Sequence, residues 1–500
     1  MKLPLPLAIT FIFVSQFYHS ESKAVTSFFP NTLNLTFKSG NHLKNEAIRT
    51  PRHLDQSSEG HSSAISNIFV NSYNKMKNWI RHDPKTQENK IPDDILPKPE
   101  MEYKHSEADE DPIIHQVSMT TPQMIALHGY PVESHTIVTD DGYILTVHRI
   151  PFSRTSNKKV SPKKTVLLHH GLFGSSVHWI LAGPKKSLGY ILSDAGYDVW
   201  LANVRGNTYS RAHVSKNVDS REFWNFTFHE VSQHDLPAVI DYITRFKGSD
   251  VKINYIGHSM GTTILFALLS TKPEYNKVLR AGFALAPVAY MTNIKSPLKK
   301  LAQYSNKIEY LLNLLGEGKE LLPQNPVLKW LAKHSCELMN CNEEGMFDDA
   351  MTVLLGHDVG QFNKTLMPII LGQASAGAST KTLVHYAQEI YQGGKFQMFD
   401  YGLAGNFKQY GIWAPPQYPL HKITLPIALF SSENDWFSSV IDVTRLQGKI
   451  VNPIEHYIVP LKEFNHVDFL WAIDAPTLVY ARVLQLLGDG VSNPVYSIDK

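Results

Sequence analysis

Short apolar runs alternate with helical stretches along this chain, after one antiparallel pair of strands. Residues 133–150 alternate apolar and polar side chains on either side of Asp141-Gly142, which predicts two strands joined by a tight turn. A last helix is expected over 476–487. Six apolar runs predict buried strands, at 165–171, 197–206, 253–259, 280–287, 425–432 and 455–461. This order predicts an α/β fold, with a mostly parallel central sheet that helices cover on both faces.

One strand passes into a helix almost without a loop, in the stretch VKINYIGHSMGTTILFALLS (251–270). The apolar run before Gly257 predicts a buried strand, and the Ala-, Leu- and Ile-rich run after Gly261 predicts a helix packed on it. Such a bend strains the backbone at Ser259, and the two glycines remove the Cβ atoms that would collide there. This is the G-x-S-x-G pattern, which lifts a nucleophilic serine above a sheet edge. A tight turn without chemistry is the alternative interpretation.

A serine hydroxyl becomes nucleophilic when a histidine accepts its proton and an acid orients that histidine. With a serine on this kind of bend, the acid and then the histidine follow later in the chain, each after a strand. Asp435 and His466 occupy those two places, and we predict a triad with Ser259. Glu433 and Asp468 are the competing acids: Glu433 lies too early in its loop, and Asp468 is too close to His466 to face its ring.

The charged intermediate of such a reaction needs two backbone N–H donors. Met260, directly after the serine, is predicted to supply one, and Leu172 in the loop HHGLFGSS is predicted to supply the other. Gly171 allows this loop to approach closely. His169 and His170 are interpreted as structural, facing opposite sides of their strand, because no second cluster of metal ligands accompanies them. We predict no metal site.

Between residues 288 and 392 the alternation of strands and helices stops, and amphipathic helical stretches take its place. This segment is inserted after the strand that follows Ser259, which places it above the carboxyl edge of the sheet. We predict a helical cap with a mobile lid there, between a first core part at 112–287 and a second at 393–500. An ordinary surface subdomain is the alternative.

The amino terminus carries the pattern of a secretory signal. Lys2 precedes an apolar run from Leu3 to Phe17, and small residues follow, which predicts a signal peptide over 1–24. The run is too short, and too rich in proline, for a transmembrane anchor. Residues 25–111 are polar and predict an extension that is a candidate propeptide, partly disordered.

Composition narrows the function further. The formal net charge is only +2, which gives no support to a nucleic-acid partner. The chain has two cysteines, Cys336 and Cys341, which would pair as a small local disulfide in an oxidising compartment. Sequons at Asn34, Asn225 and Asn363 are candidate N-glycosylation sites and fit a secreted protein.

Several separated blocks between about residues 115 and 488 resemble the acid lipase family of the α/β-hydrolase superfamily, which includes gastric, lysosomal and insect lipases. In this family the G-x-S-x-G pattern commonly reads G-H-S-Q-G, whereas Met260 stands here in place of the glutamine. The blocks are GYPVESHTIVTDDGYILTVHRIP, HHGLFGSSVHW, ANVRGNTYSR, FWNFTFHEVSQHDLPAVIDYI, IGHSMG, FDYG, PPQYPLHKITLPIALFSSENDW and FNHVDFLWAIDAP.

The resemblance implies an α/β-hydrolase fold with a cap and lid, and the hydrolysis of triacylglycerols or sterol esters at a lipid–water interface. It implies Ser259, Asp435 and His466 as the triad and the amides of Leu172 and Met260 as the oxyanion hole. No cofactor is expected, and we expect a monomer that is secreted, with a lysosomal location as the alternative. Two other functions stay open: an esterase of small soluble esters, and a catalytically silent lipid-binding or storage protein on the same fold.

Overall fold

The computed structural model describes residues 112–155, 164–248, 250–296, 318–324 and 360–488, together with residues 299, 329, 332 and 333. The predicted signal peptide, the polar extension, Asn34, Cys336 and Cys341 lie outside these residues, as does most of the first two thirds of the predicted cap. The predictions made for those parts of the chain stay predictions.

Nine strands of the described chain form one sheet, in the order β1-β2-β4-β3-β6-β7-β10-β11, with β5 paired to β2. Strand β2 pairs with β1, β4 and β5, and these three pairs are antiparallel. The pairs β4–β3, β3–β6, β6–β7, β7–β10 and β10–β11 are parallel. A separate ladder joins β8 to β9. The strands are β1 Glu133–Val138, β2 Tyr143–Ile150, β3 Thr165–His169, β4 Asp198–Leu201, β5 Ala212–His213, β6 Ile253–His258, β7 Leu279–Leu285, β8 Glu320–Leu321, β9 Ala378–Ser379, β10 Ile427–Ser431 and β11 Pro453–Ile458.

The described helices follow the strands in the order that the sequence pattern predicts. Two π-helical turns, Val231–Asp235 and Pro476–Tyr480, are continuous with α-helices. The α-helices are α1 Pro112–Gln116, α2 Thr121–Leu127, α3 Leu188–Asp194, α4 Phe228–Glu230, α5 Leu236–Lys247, α6 Met260–Thr271, α7 Tyr275–Val278, α8 Met367–Gln373, α9 Thr380–Gln392, α10 Gly402–Tyr410, α11 Val440–Gln447, α12 Asp468–Trp471 and α13 Ala481–Gly488.

Helices cover both faces of the sheet, because the apolar side chains of each central strand alternate between two cores. On β3, Leu167 contributes to the core that contains α5 and α6. Its neighbours Val166 and Leu168 contribute to the opposite core, with α2, α3 and α13. A strand buried on both faces reads as a continuous apolar run, which is why these strands could be recognised in the sequence. The predicted fold class is confirmed.

The structure differs from the sequence pattern in local details. The predicted run 197–206 ends as a strand at Leu201, and the last helix begins with a π-helical turn at Pro476–Tyr480. The described part of the predicted cap contains α8 and α9, as expected, and also the short β8–β9 ladder, which the pattern does not predict. Within the described ranges, none of the helices combines the length and the apolar character that crossing a membrane requires.

Candidate active site

Ser259 stands on a sharp bend between β6 and α6. The strand ends at His258, the helix begins at Met260, and Ser259 between them has φ +52° and ψ −118°. A positive φ is strained for a residue with a Cβ atom, so the surroundings must hold it in place. The Ser259 N–H donates to the carbonyl of Leu285 on the neighbouring strand β7, at 3.0 Å. The bend predicted from the sequence is present.

The two glycines of the bend are required by close backbone contacts. A Cβ atom on Gly257 would lie 2.8 Å from the carbonyl carbon of Gly261. A Cβ atom on Gly261 would lie 2.4 Å from the carbonyl oxygen of His169 at the end of β3. Contacts this short do not occur between real atoms, so both positions need glycine for α6 to start this close to the sheet.

Ser259, His466 and Asp435 form one chain of hydrogen bonds. His466 Nε2 lies 2.8 Å from Ser259 Oγ, and His466 Nδ1 lies 2.8 Å from Asp435 Oδ2. Asp435 is fully buried, and its Oδ1 accepts the backbone N–H groups of Phe437 and Ser438 at 2.8 and 2.7 Å. These two donors fix the carboxylate, which in turn favours the His466 tautomer that carries its proton on Nδ1.

The two competing acids lie elsewhere. Glu433 is exposed at the end of β10. The Asp468 carboxylate accepts the backbone N–H of Asn465 at 2.6 Å, so it holds the loop that carries His466. The structure therefore brings the predicted acid, Asp435, to the imidazole of His466 and gives Asp468 a local role.

His258, which precedes the serine, also contacts the loop of the histidine. Its Nε2–H donates to the backbone carbonyl of His466 at 2.8 Å. Complete burial lowers the pKa of His258 well below 6.5, and the neighbouring His466 lowers it further, so the His258 ring is neutral. The sequence analysis missed this contact, although the presence of a histidine in the G-x-S-x-G pattern was a signal that could have suggested it.

The loop after β3 approaches Ser259 from the other side. A Cβ atom on Gly171 would lie 3.0 Å from the Ser259 Cβ, and Phe173 has a positive φ of 60°. Among the described residues, no acceptor is bonded to the N–H groups of Leu172 and Met260, which leaves both free as donors beside the serine. Two free amides next to a nucleophile are what an oxyanion hole requires.

His170 holds this loop in position. Its Nδ1–H donates to the Gly171 carbonyl at 2.8 Å, and its Nε2 accepts the Val204 N–H at 3.3 Å. The His169 ring lies beside it, with ring centroids 5.5 Å apart and planes only 27° apart. The prediction that the two rings face opposite sides of the strand is therefore wrong: β3 ends at His169, so the alternation of a strand does not extend to His170.

A small, mainly apolar cavity lies against the two candidate oxyanion donors. Part of its wall belongs to the predicted cap segment, and this segment also bonds the loop after β3, because the Ala376 N–H donates to the Phe173 carbonyl at 2.7 Å. The lining residues are His170, Leu172, Phe173, Gly174, Val204, Arg205, Phe226, Val231, Met260, Gly377, Ala378, Ser379 and Thr382.

Two of the three predicted glycosylation sites lie in the described chain. Asn225 is exposed, and its Oδ1 accepts the Lys381 ammonium at 2.8 Å. Asn363 is half-buried, and its Oδ1 accepts the Thr365 hydroxyl of the same sequon at 2.7 Å. Both sites stay predictions.

One group of ionisable side chains in the described ranges has atoms close enough to share a metal ion: Asp140, Asp141 and His234. Both Asp141 oxygens accept the Arg205 guanidinium, at 2.6 and 2.8 Å. His234 Nδ1 lies 2.7 Å from Asp140. The three side chains thus already have hydrogen-bond partners among themselves and in Arg205. They are not part of the candidate active site.

Comparisons with known proteins agree with this geometry. Residues 121–183 match the family model of the partial alpha/beta-hydrolase lipase region, and residues 164–297 match that of the alpha/beta hydrolase fold. The gastric triacylglycerol lipase of Bos taurus is 38% identical to this chain, over 75% of this chain and 92% of the relative. The lysosomal acid lipase/cholesteryl ester hydrolase of Homo sapiens is 37% identical, over 74% and 91%, and Lipase 3 of Drosophila melanogaster is 38% identical, over 71% and 90%. The chain belongs to the acid lipase family of the α/β-hydrolase superfamily and is a lipid ester hydrolase.

Proposed function

We propose that this lipase cleaves carboxylic esters through a covalent acyl-enzyme on Ser259, with His466 as the general base and Asp435 as its orienting acid. The observation that supports the proposal is the unbroken chain of two 2.8 Å hydrogen bonds from Ser259 through His466 to the buried Asp435. A catalytically silent lipid-binding protein has no need for such a chain, and nothing in the described site favours that alternative.

In the first half of the reaction, Ser259 Oγ attacks the ester carbonyl carbon while His466 Nε2 takes the hydroxyl proton. The π electrons of the carbonyl move to its oxygen, which becomes an oxyanion between the N–H groups of Leu172 and Met260. Asp435 accepts the hydrogen bond from Nδ1–H throughout and stabilises the imidazolium that forms. Its own two backbone donors hold the carboxylate in place.

The intermediate then collapses. The carbonyl reforms, the bond to the alcohol oxygen breaks, and His466 Nε2–H gives its proton to the leaving alkoxide. Water repeats the sequence on the acyl-enzyme: His466 takes a proton from water, hydroxide adds to the acyl carbon, and Ser259 Oγ leaves with that proton. The products are a carboxylic acid and an alcohol, and no external oxidant, reductant or cofactor is needed to balance the step.

The substrates that we propose are neutral lipid esters, either triacylglycerols or sterol esters, at a lipid–water interface. The names of the relatives above support this class, since they include a triacylglycerol lipase and a cholesteryl ester hydrolase. The cavity beside the candidate oxyanion donors is small, and its apolar wall of Leu172, Phe226 and Met260 matches the chemistry of an acyl group.

We also propose that the protein is a secreted monomer, with the lysosome as the alternative destination. The signal-like pattern over 1–24 supports entry into the secretory pathway. The polar stretch 25–111 is proposed as a propeptide. An intact-mass measurement of the protein recovered from an expressing culture decides whether it is removed, and treatment with an N-glycosidase decides whether Asn225 and Asn363 carry glycans.

The decisive test compares the wild type with Ser259→Ala on emulsified trioleoylglycerol and on a soluble short-chain ester. We expect Ser259→Ala to lose activity on both substrates by about 10⁴-fold or more, because the covalent step needs the hydroxyl. Thermal unfolding of the variant should match that of the wild type.

Ser270→Ala is the matched control. This serine lies near the end of α6, the helix that Ser259 precedes, is fully buried, and donates only to the carbonyl of Ala267 in its own helix. Its loss should leave turnover unchanged. Activity that survives in Ser259→Ala contradicts the proposed nucleophile, and wild-type activity on the soluble ester alone contradicts the proposed substrate class.

A further inference from the structure

Helix α10 and the residues after it carry an exposed apolar surface that the candidate active site does not use. We call Leu403, Phe407, Ile412 and Trp413 the 403–413 patch. The exposed fractions are 70% for Leu403, 51% for Phe407, 50% for Ile412 and 60% for Trp413. Single exposed apolar residues are ordinary on a protein surface, but four large ones within eleven residues of sequence indicate a binding surface.

The geometry of the helix brings these side chains together. Leu403 and Phe407 are four residues apart, so they lie on one face of α10. The rings of Phe407 and Trp413 are stacked, with centroids 4.6 Å apart and planes 24° apart. The patch is therefore a continuous surface, with an aromatic pair at its centre.

The helix is fixed to the protein by Asn406, which is buried. Its Oδ1 accepts the Tyr401 N–H at 2.9 Å, and its Nδ2 donates to Asp400 Oδ1 at 2.7 Å and to the Trp413 carbonyl at 3.2 Å. One buried amide thus ties both ends of the patch to the same frame. The exposed side chains therefore project from a backbone that these hydrogen bonds hold in place.

The charge of the segment selects among possible partners. Between Tyr401 and Pro416 the only charged side chain is Lys408, which is exposed, and the sequence contains no acidic residue there. An apolar surface with tryptophan and a cation, and without carboxylates, is the composition that favours the boundary between lipid head groups and acyl chains. The lack of an acidic side chain within this segment also limits repulsion from anionic lipids, and Asp400, directly before it, accepts hydrogen bonds from Gly402 and Asn406.

The patch is linked to the cavity wall by direct contacts. Helix α9, whose first turns line the cavity with Ser379 and Thr382, carries Lys381. The Lys381 ammonium lies 3.1 Å from the hydroxyl of Tyr401, and α10 begins at the next residue. A partner bound to this patch would therefore be one helix away from the wall of the cavity beside the candidate oxyanion donors.

We propose that the 403–413 patch is a docking surface for the lipid–water interface, holding the enzyme on the lipid phase that contains its substrate. This inference rests on the proposed function, because an enzyme of emulsified neutral esters has an apolar phase as its partner. Phe407 and Trp413 insert among the acyl chains, and Lys408 lies at the level of the head groups. A second copy of the chain and the residues 25–111 are the other possible occupants, and the experiment separates them.

The experiment measures binding without turnover, in a Ser259→Ala background, on full-length secreted protein. The probe is a trioleoylglycerol emulsion coated with phosphatidylcholine, and bound protein is separated by flotation. The patch variant is Phe407→Ser with Ile412→Ser, and the matched control is Ile441→Ser with Val451→Ser, two exposed aliphatic side chains outside the patch. We expect the patch variant to bind about tenfold more weakly and the control to bind as the parent does.

Two further readings make the result specific. Trp413 fluorescence should shift to the blue on binding, and Trp413→Phe should remove that shift from the difference spectrum. Unfolding temperatures of the patch and control variants should agree, which shows that weaker binding is not misfolding. Because binding is measured on an inactive protein, a failure of the proposed chemistry leaves this result unaffected.

Three outcomes overturn the proposal. The first is equal binding by the patch and control variants. The second is a parent protein that sediments as a dimer, with dimerisation and not lipid binding lost in the patch variant. The third is a Trp413 shift that appears without lipid when residues 25–111 are removed, which would identify that segment as the occupant.

Discussion

At the scale of single residues, His258 is the contact that the candidate active site depends on outside the triad. It stands next to Ser259 in sequence and donates to the main chain of His466, so it couples the position of the nucleophile to that of the base. Burial lowers the pKa of His258 well below 6.5, so near neutral pH the ring is neutral and makes this bond through the proton on Nε2. We therefore assign His258 as a positioning residue.

His258→Ala should lower kcat on a soluble ester by about 10²-fold with little change in KM, because a displaced base weakens the transition state more than substrate binding. His258→Gln retains an amide donor and should restore part of the rate. Steady-state kinetics on the three proteins measures both effects. A parallel loss in the two variants, or a change confined to KM, would contradict a positioning role.

The three members of the candidate triad could be predicted from the sequence because each lies in the bend or loop after a recognisable strand. Parallel strands bring their carboxyl ends to one edge of the sheet, so order along the chain becomes proximity in space. The hydrogen bonds of His258 and His170 could not be predicted, because they depend on ring rotation and on partners in distant loops. The stacking of His169 on His170 could not be predicted for a similar reason, since it depends on where β3 ends.

At the scale of elements, the close packing of α6 against the end of β3 controls the site. A Cβ atom on Gly261 would meet the His169 carbonyl oxygen at 2.4 Å, and this oxygen belongs to the backbone and cannot turn away. The helix and the strand would have to separate, and this would displace both Ser259 and the loop that carries Leu172.

Gly261→Ala should lower the free energy of unfolding by about 3 kcal/mol, with a large loss of activity in the protein that still folds. Gly448→Ala serves as its control, because that glycine has φ −71° and a Cβ atom there would meet nothing closer than 3.6 Å. Urea unfolding of both variants measures the difference. Equal stabilities would show that α6 can shift away from β3 at little cost.

The elements that could be predicted are those with a clear apolar period, such as the β1–β2 hairpin and the central strands. Elements that arise from tertiary contact could not. The β8–β9 ladder pairs only Glu320 with Ser379 and Leu321 with Ala378, and two-residue strands leave no periodic signal. The π-helical turn at Val231–Asp235 is likewise invisible in the sequence, because it differs from an α-helix only in its hydrogen-bond register.

At the scale of the whole molecule, buried histidines set how stability responds to acid. Burial lowers the pKa of three of them, His148, His169 and His178, to about 4. Below pH 6.5 these histidines bind protons in the unfolded chain but remain neutral in the folded chain. The stability that these rings contribute is present above pH 6.5 and is lost as the pH falls toward 4. Buried Glu389 acts in the opposite direction, since burial raises its pKa and favours the fold at low pH.

One variant measures how much of this sensitivity to acid a single buried histidine causes. His148 is suited to the test because burial alone lowers its pKa and its ring Nδ1 bonds only the Ser176 hydroxyl, away from the candidate triad. His148→Gln cannot take up a proton in either state. Between pH 6.5 and 4 the wild type should therefore lose about 3 kcal/mol more unfolding free energy than this variant does.

Urea unfolding of both proteins at several pH values between 7 and 4 measures this difference in slope, which is independent of any fixed cost of the substitution at neutral pH. His421→Gln, which replaces an exposed histidine, should follow the wild type. Parallel curves for the wild type and His148→Gln would mean that His148 takes up its proton at the same pH in the folded and the unfolded chain. The acid limit of the fold would then lie with other groups, and the pH at which this lipase works would be limited by its chemistry before its stability.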